Sequence, residues 1–201
     1  MSRWSRSPPG GTRALWQAAH GQDQVWDWLA DGPYASEADL AADLALKETG
    51  AAARFFALIP AATGHAAGYA SYMRMDPANG VIEVGNVMFS PALQRTSAAT
   101  EAMCLMARHI FEDLGYRRYE WKCNALNLPS RRAAERLGFT YEGIFRQHMI
   151  VKGGSRDTAW FAMLDSEWPA RKRAFEAWLA GENFDAQGRQ IRALGAFQDF
   201  A

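Results

Sequence analysis

Two strands joined by a single helix occupy the centre of the sequence, and this unit constrains the fold more than any other feature. The stretch "VIEVGNVMF" (81–89) is a short, mostly apolar run, and "YRRYEWKCN" (116–124) alternates between two sets of side chains, as strands do. Between them, "ATEAMCLMARHIFEDLG" (99–115) repeats apolar residues at helical spacing and ends on a glycine. A crossover of this kind is right-handed and connects parallel neighbours in one sheet. The unit therefore predicts a sheet that contains a parallel pair.

The remaining elements predict mostly antiparallel pairing around this unit. The run "GYASYMRM" (68–75) precedes the turn "DPANG" and forms a hairpin with 81–89. Further strands are predicted at 53–60, 139–151 and 156–164, and further helices at 12–29, 36–47, 127–138 and after Ser166. We therefore predict an α/β (α+β) fold with a mixed, mostly antiparallel central sheet flanked by helices.

The domain organisation follows from local composition. Residues 1–12 are expected to form a disordered leader, residues 13–180 a single domain, and residues 181–201 a tail that docks on this domain through its apolar side chains. A chain of 201 residues with 49% hydrophobic residues is long enough to bury one sizeable core.

Charge and cysteine content exclude several classes of protein. Lys and Arg together (22) equal Asp and Glu (22), so the chain lacks the basic excess of a nucleic-acid binder. No apolar run approaches the roughly 20 residues that a membrane helix needs. Two cysteines, Cys104 and Cys123, give no disulfide framework, and the four histidines show no metal-ligand spacing. We expect a cytoplasmic protein that binds no nucleic acid, no membrane and no metal.

The start of the central helix is unusually rich in small side chains. The stretch "QRTSAAT" (94–100) lies where the first backbone N–H groups of a helix lack partners, and such helix starts bind anions. Small residues let the backbone approach phosphate oxygens, Thr96, Ser97 and Thr100 can add hydroxyl donors, and Arg95 adds a guanidinium suited to phosphate. The alternative is a plain helix start without a ligand.

Two motifs in this order resemble the GNAT superfamily of acyl-CoA-dependent N-acyltransferases. The first is "Q-x-x-S-x-A", formed by Gln94, Ser97 and Ala99, and the second is "N-x-x-S-x-x-x-x-E-x-L-G-F", which begins at Asn127. The resemblance extends over residues 53–169 and is strongest to the ribosomal-protein N-terminal acetyltransferases. It implies acetyl-CoA as co-substrate, with its pyrophosphate wrapped by the first motif. The implied contacts of the first motif are Gln94, Arg95, Thr96, Ser97, Ala98, Ala99 and Thr100.

Ser97 departs from the family pattern, which has a glycine at this place. A side chain here is expected to narrow the approach to the pyrophosphate or to demand a different φ.

The second motif implies contacts with the rest of acetyl-CoA. By position, Asn127 bonds the pantetheine arm, and Ser130 protonates the departing thiolate, since Ala134 occupies the place of a tyrosine that many relatives carry. Arg132, with its neighbour Arg131, is expected either near the adenosine 3′-phosphate or on a solvated face. The alternative for Asn127 and Ser130 is helix capping, which is compatible with a contact to acetyl-CoA.

Glu83 lies inside a strand whose neighbouring residues are apolar. A buried carboxylate is costly unless it is paired or has a raised pKa, and a base poised nearer neutrality suits an acceptor that arrives as an ammonium ion. Glu83, or a water that it orients, is therefore the candidate base. A structural salt bridge to an arginine, or a place on an exposed edge, is an equal alternative. Gly85 predicts a bulge beside the thioester. The backbone N–H groups of Val87, Met88 and Phe89 are expected to bind the pantetheine and the thioester oxygen.

Together these residues predict an N-acetyltransferase that moves an acetyl group from acetyl-CoA to a primary amine by direct attack. The acceptor is either a protein N-terminal amine or a small-molecule amine, and a homodimer is left open. Cys123 is an alternative nucleophile, but no His or Asn pairing supports it, and a buried structural thiol is favoured. The other alternative is a non-catalytic acyl-CoA-binding sensor or assembly protein on the same fold.

Overall fold

The computed structural model describes residues 11–198, and its elements follow the predicted order. The helices are α1 (Gly11–Ala19), α2 (Glu37–Thr49), α3 (Ser97–Arg108), α4 (Leu128–Arg136) and α5 (Trp168–Leu179). The strands are β1 (Ala53–Leu58), β2 (Gly68–Asp76), β3 (Val81–Phe89), β4 (Arg118–Asn124), β5 (Thr140–Val151) and β6 (Gly154–Leu164). Helix α1 begins at Gly11, so the last two residues of the predicted leader are helical, and its first ten lie outside the described residues.

Across the described residues, six strands form one sheet in the order β1-β2-β3-β4-β6-β5. All neighbouring strands are antiparallel except β3 and β4, which are parallel and are joined through α3. The predicted mixed, mostly antiparallel sheet is therefore confirmed, and so is the parallel pair that the central unit requires.

Helices cover both faces of the sheet to different extents. On one face, α3, α4 and α5 pack over a core that includes the fully buried Tyr119 and Phe161. On the other face, α1 and α2 bury Leu15, Leu40 and Tyr69 against β1, β2 and β3, and this second core contains no residue from β4, β5 or β6. Each buried Leu or Phe side chain contributes about 1.5–3 kcal/mol. The second face is thus apolar at one side of the sheet and open to polar side chains at the other.

One hydrogen bond caps α2 on this second face, and another connects the β5–β6 turn to the N-terminal segment. Ser36 caps α2, since its hydroxyl accepts a hydrogen bond from the Asp39 backbone N–H at 3.2 Å. The turn between β5 and β6 reaches across to the segment between α1 and α2, where the Lys152 ammonium donates to the Trp26 carbonyl oxygen at 3.0 Å. The β5–β6 hairpin and the N-terminal helices therefore approach each other across the polar part of the face.

The described part of the tail packs against the domain. The Asn183 amide donates to the carbonyl oxygens of Trp178 and Arg192, and Leu194 is fully buried in the larger core. The Gln198 amide donates to the Arg136 carbonyl oxygen at the end of α4. These contacts attach the described part of the tail to α4 and α5.

Candidate active site

Strands β3 and β4 separate part-way along their length, and the gap between them is the candidate active site. Their pairing runs from Val81 with Arg118 to Val84 with Trp121 and then stops, although β3 continues to Phe89 and β4 to Asn124. Backbone groups on this edge of β3 beyond Val84 thus lack a partner from β4. Those of the predicted residues Val87, Met88 and Phe89 lie in this unpaired stretch.

A bulge opens β3 at the start of the gap, as Gly85 predicted. Pairing with β2 passes from Ser71 opposite Gly85 to Tyr69 opposite Met88, so β3 holds one extra residue. Asn86 takes a φ of +49° there, and its side-chain amide donates to the Ser71 hydroxyl at 3.0 Å. That hydroxyl donates to the Gly85 carbonyl oxygen at 3.0 Å. A Cβ at Gly85 would overlap the Met73 sulfur, so a larger residue here would have to displace the Met73 side chain.

The first motif forms a tight turn that leads from β3 into α3. The Gln94 amide donates to the Phe89 carbonyl oxygen at 3.0 Å. Thr96 is the N-cap of α3, and its hydroxyl accepts from the Ala99 backbone N–H at 3.1 Å while it donates to the Leu93 carbonyl oxygen at 2.7 Å. The helix therefore begins beside the gap with a partial positive charge and several N–H groups that have no partner within the helix.

Ser97 does not have the positive φ that would favour a glycine at this position. It is the first residue of α3, its side chain is exposed, and the positive φ of this turn, +62°, falls on Arg95 instead. The expectation that Ser97 demands a different φ is therefore wrong, because the chain reverses two residues earlier. The exposed guanidinium of Arg95 and the exposed hydroxyl of Ser97 lie on the same turn.

The small residues that follow have a packing role. Ala99 is buried and Ala98 packs against the larger core, so their small size lets the start of α3 sit close to the sheet. Thr100 is also buried, and its hydroxyl accepts from the Arg136 guanidinium at 3.1 Å. This bond ties the start of α3 to the end of α4, a link that the sequence did not indicate. The backbone N–H groups of Ala99 and Thr100 already donate to Thr96, so of these three only the Ala98 N–H is available to a ligand.

Helix α4 follows β4, the strand on the other side of the gap, after a short connection. The Asn127 side chain caps it by accepting from the Ser130 backbone N–H at 3.1 Å, so the capping alternative is present. The Ser130 hydroxyl accepts from the Trp121 indole N–H at 3.0 Å. Because Trp121 is the last residue of β4 that pairs with β3, this bond holds Ser130 at the point where the strands part. Two helix starts, those of α3 and α4, therefore follow the two strands that enclose the gap.

Other positions on α4 separate into core and surface. Ala134 is fully buried, so the place that carries a tyrosine in many relatives faces the core here, and Ser130 is the remaining hydroxyl of the motif. Arg132 is exposed, which is compatible with a contact to the adenosine 3′-phosphate and with a solvated face. Arg131 is half-buried and donates to the Ala125 carbonyl oxygen at 3.3 Å, while its guanidinium lies 5.5 Å from the centre of the Tyr141 ring.

Glu83 is buried on the second face of the sheet and is ion-paired. Its side chain is only 3% exposed. One nitrogen of Arg74 donates to both carboxylate oxygens, at 2.8 and 2.9 Å, and the Lys122 ammonium lies 2.9 Å from the second oxygen. The predicted salt bridge to an arginine is thus present, and a lysine that the sequence did not indicate completes it.

Lys122 is the centre of a larger charged network. Its ammonium, 5% exposed, lies 2.6 Å from a Glu120 oxygen and 3.7 Å from the centre of the Trp160 ring. Glu120 accepts from Arg118 at 2.7 Å, and Arg118 also pairs with Glu142 on β5. In sequence, the charges of "RYEWKC" look like an ordinary half-exposed strand. The structure adds to that interpretation, because Glu120 and Lys122 are buried and paired with each other, and Lys122 also pairs with Glu83 on β3.

Beyond this network, β6 and β5 add polar groups that the sequence analysis passed over. The indole nitrogen of Trp160 and the Nε of Arg156 are buried without a hydrogen-bond partner among the described residues. The Thr158 hydroxyl, fully buried, lies 3.0 Å from Nδ1 of His148. Buried N–H donors without partners are costly, so this side of the site has free donors for a ligand.

Cys123 has a structural environment. It is buried in the larger core, and burial raises the pKa of its thiol, an effect that the Ser130 hydroxyl and two arginines oppose. A thiol with a raised pKa is a poor nucleophile near neutral pH, which favours the structural interpretation over two-step transfer. Among residues 11–198, no group of three or more His, Cys, Asp or Glu side chains is arranged to hold a metal ion. None of the described helices combines the length and apolarity that crossing a membrane requires.

Comparison with known proteins places the chain in a family. A family model described as "Acetyltransferase (GNAT) domain" matches residues 11–140. The chain is similar to the crystal structure of a GCN5-related N-acetyltransferase from Brucella melitensis, with 49% sequence identity and a TM-score of 0.93 over 96% of this chain and 88% of that one. A probable acetyltransferase from Chromobacterium violaceum is 42% identical, with a TM-score of 0.76 over 83% of each chain. The chain therefore belongs to the GNAT acetyltransferase family, and the predictions of this fold and of an acyl-CoA-dependent acyltransferase are confirmed at the level of the family.

More specific comparisons are weaker. The uncharacterized N-acetyltransferase YnaD of Bacillus subtilis is 32% identical over 87 residues, which cover 43% of this chain and about half (50%) of that protein. A putative ribosomal-protein-serine acetyltransferase from Vibrio cholerae is 19% identical with a TM-score of 0.66, a likeness that shows the fold alone. The ribosomal-protein branch therefore stays a prediction.

Proposed function

We propose that this protein transfers an acetyl group from acetyl-CoA to a primary amine by direct attack of the amine on the thioester. The observation that carries the proposal is the parting of β3 and β4 between two capped helix starts, with the Ser130 hydroxyl at the point of parting. A gap of this form suits a long co-substrate with an anionic end and an extended arm.

The chain offers separate groups for each part of acetyl-CoA. The start of α3 supplies backbone N–H groups for the pyrophosphate, with Arg95 and Ser97 exposed on the same turn. The unpaired edge of β3 from Val87 to Phe89 supplies backbone groups for the pantetheine arm and the thioester oxygen. Arg132 is available to the 3′-phosphate.

The reaction needs few groups once both substrates lie in one cleft. The amine lone pair forms the C–N bond at the thioester carbonyl carbon, the C–S bond breaks, and its electron pair leaves with the sulfur. Ser130 then donates a proton to the thiolate. Its hydroxyl oxygen accepts a hydrogen bond from Trp121, and its hydrogen, which can also bond the Cys123 sulfur, is the proton to be donated.

We place the acceptor amine on the second face of the sheet, beside Glu83. An ionised carboxylate has about four lone-pair sites, and Arg74 and Lys122 occupy three of those on Glu83. The remaining site can accept one N–H of the acceptor and so orient its lone pair. The role of Glu83 as the base stays a prediction. Whether the acceptor is a peptide N-terminus or a small amine is a matter for a substrate screen.

The test measures thiol release from acetyl-CoA with a panel of amines: a Ser-initiated tetrapeptide, spermidine and an aminoglycoside. We expect release with at least one of them, and Ser130→Ala should lower kcat by roughly 100-fold, the lower end of what a positioned proton donor contributes. Acetyl-CoA affinity, followed by calorimetry, should be retained. The exposed Ser166→Ala is the matched control and should leave both values unchanged. Acetyl-CoA binding without release with any amine would instead support the non-catalytic binder.

A further inference from the structure

Strand β5 contains an irregularity that brings a histidine to the acceptor side of the site. Pairing with β6 passes from Phe145 opposite Thr158 to Met149 opposite Arg156, so β5 holds two extra residues between these pairs. Gln147 takes a φ of +49° in this bulge, and its backbone N–H donates to the Asp157 carboxylate at 2.7 Å. A β-bulge changes the direction of the side chains beside it. In β5 one of these side chains is that of His148.

The His148 ring lies against the residues that border Glu83. Its Nδ1 is 3.0 Å from the Thr158 hydroxyl oxygen, and its centre is 5.9 Å from that of the Trp160 ring. The same indole carries the Lys122 ammonium at 3.7 Å, and Lys122 bonds Glu83 at 2.9 Å. His148, Trp160, Lys122 and Glu83 therefore form a continuous row on one face of the sheet.

The charges around His148 favour its neutral form. Desolvation, followed by the positive charges of Arg74 on β2, Arg156 on β6 and Lys122 on β4, lowers the pKa of His148, and the Glu83 carboxylate on β3 opposes this shift. The Thr158 hydroxyl can accept from Nδ1–H, and in that tautomer the Nε2 lone pair is free. A neutral imidazole with an available lone pair is the usual general base near neutral pH.

Glu83 is less well placed for this task. Both of its oxygens already bond cations, so taking up a proton would break ion pairs that are largely buried. His148 is exposed, and its protonation disturbs no ion pair.

We propose that His148 is the general base that takes the proton from the acceptor ammonium group, an inference that rests on the proposed acetyl transfer. The ammonium loses one proton to Nε2 of His148 and becomes the amine, whose nitrogen remains oriented by Glu83. After the C–N bond has formed, Ser130 gives its proton to the departing sulfur, and the second proton lost by the nitrogen restores the Ser130 hydroxyl. The imidazolium then releases its proton to solvent. The balance is one acetyl-CoA and one ammonium consumed, and one amide, one thiol and one proton formed.

The test compares the pH dependence of kcat/KM for the wild type and His148→Gln, with the best acceptor of the panel. In the wild type, kcat/KM should rise with pH through an inflection below the ordinary histidine value of 6.5. His148→Gln should lose this inflection and fall roughly 100-fold near pH 7. The deficit should narrow above the pKa of the acceptor amine, which is about 8 for a peptide N-terminus, because the amine then arrives neutral.

Controls separate this inference from the proposed function. His65→Gln, an exposed histidine in the loop before β2, should leave the profile unchanged, and acetyl-CoA affinity should be the same in all variants. Glu83→Gln should keep the low-pH inflection if Glu83 orients the amine. A deficit in His148→Gln that is equal at every pH, or no deficit at all, overturns the role of His148 while acetyl transfer by the wild type still stands. A wild type that acetylates none of the amines overturns the proposed function and this inference with it.

Discussion

At the scale of single residues, Lys122 decides how two carboxylates can be buried on one face of the sheet. Glu83 and Glu120 lie on adjacent strands in register, and the Lys122 ammonium is within 2.9 Å of both. Without this cation, two like charges would face each other in a poorly hydrated place. The contacts with Arg74 and Lys122 therefore hold the Glu83 side chain in one position beside the gap.

Replacing Lys122 with Met should consequently destabilise the fold. Removing one partner from a buried ion pair costs about 3–5 kcal/mol, because the remaining charges stay buried. The measurement is the free energy of unfolding in urea. Lys172→Met is the control, since the Lys172–Glu112 pair is about one-third exposed at each partner, and its loss should be much smaller. Equal losses in both variants would show that the network around Lys122 adds no more than a surface pair.

At the scale of elements, the start of α3 depends on a single cap. The Thr96 hydroxyl accepts from the Ala99 N–H and donates to the Leu93 carbonyl oxygen, so it joins the turn to the helix. Thr96→Ala should lower the free energy of unfolding by about 1 kcal/mol and weaken acetyl-CoA binding, because the helix start that receives the pyrophosphate would fray. Thr96→Ser keeps the hydroxyl and should behave like the wild type in both calorimetric titration and denaturation. If Thr96→Ala bound acetyl-CoA as tightly as the wild type, the helix start would not contribute to the site.

The helices and strands were largely predictable from the sequence, whereas the side-chain contacts between them were not. The periodicity of 81–89 and 99–115 is a local signal, and it predicted β3, α3 and the parallel pair. The buried pairing of Lys122 with Glu83 depends on the register of β3 against β4, which no local pattern contains. His148 was overlooked for a similar reason, because two extra residues in β5 change the direction of its side chain. Ser97 was misjudged because the turn reverses at Arg95.

In the whole molecule, the two faces of the sheet differ in what they carry. The larger core under α3, α4 and α5 holds the helix starts around the gap, and the second face carries the polar residues that an acceptor would meet. The Lys152 contact to Trp26 connects the hairpin to the N-terminal helices across this face. With acetyl-CoA and the acceptor placed as we propose, the two substrates would reach the gap from different sides, which suits direct transfer.

We propose above that the gap binds acetyl-CoA with its pyrophosphate at the start of α3. Calorimetric titration of acetyl-CoA into the wild type, Ser97→Gly and Ser97→Asp tests it most directly. An acidic residue in the first turn of a helix is mildly stabilising, yet its charge would repel a pyrophosphate. We predict micromolar binding by the wild type and Ser97→Gly, and at least about tenfold weaker binding by Ser97→Asp with unfolding stability equal to or above that of the wild type. No binding by the wild type would show that the gap is not an acetyl-CoA site. Equal affinity in all three proteins would show that the pyrophosphate does not lie at the start of α3.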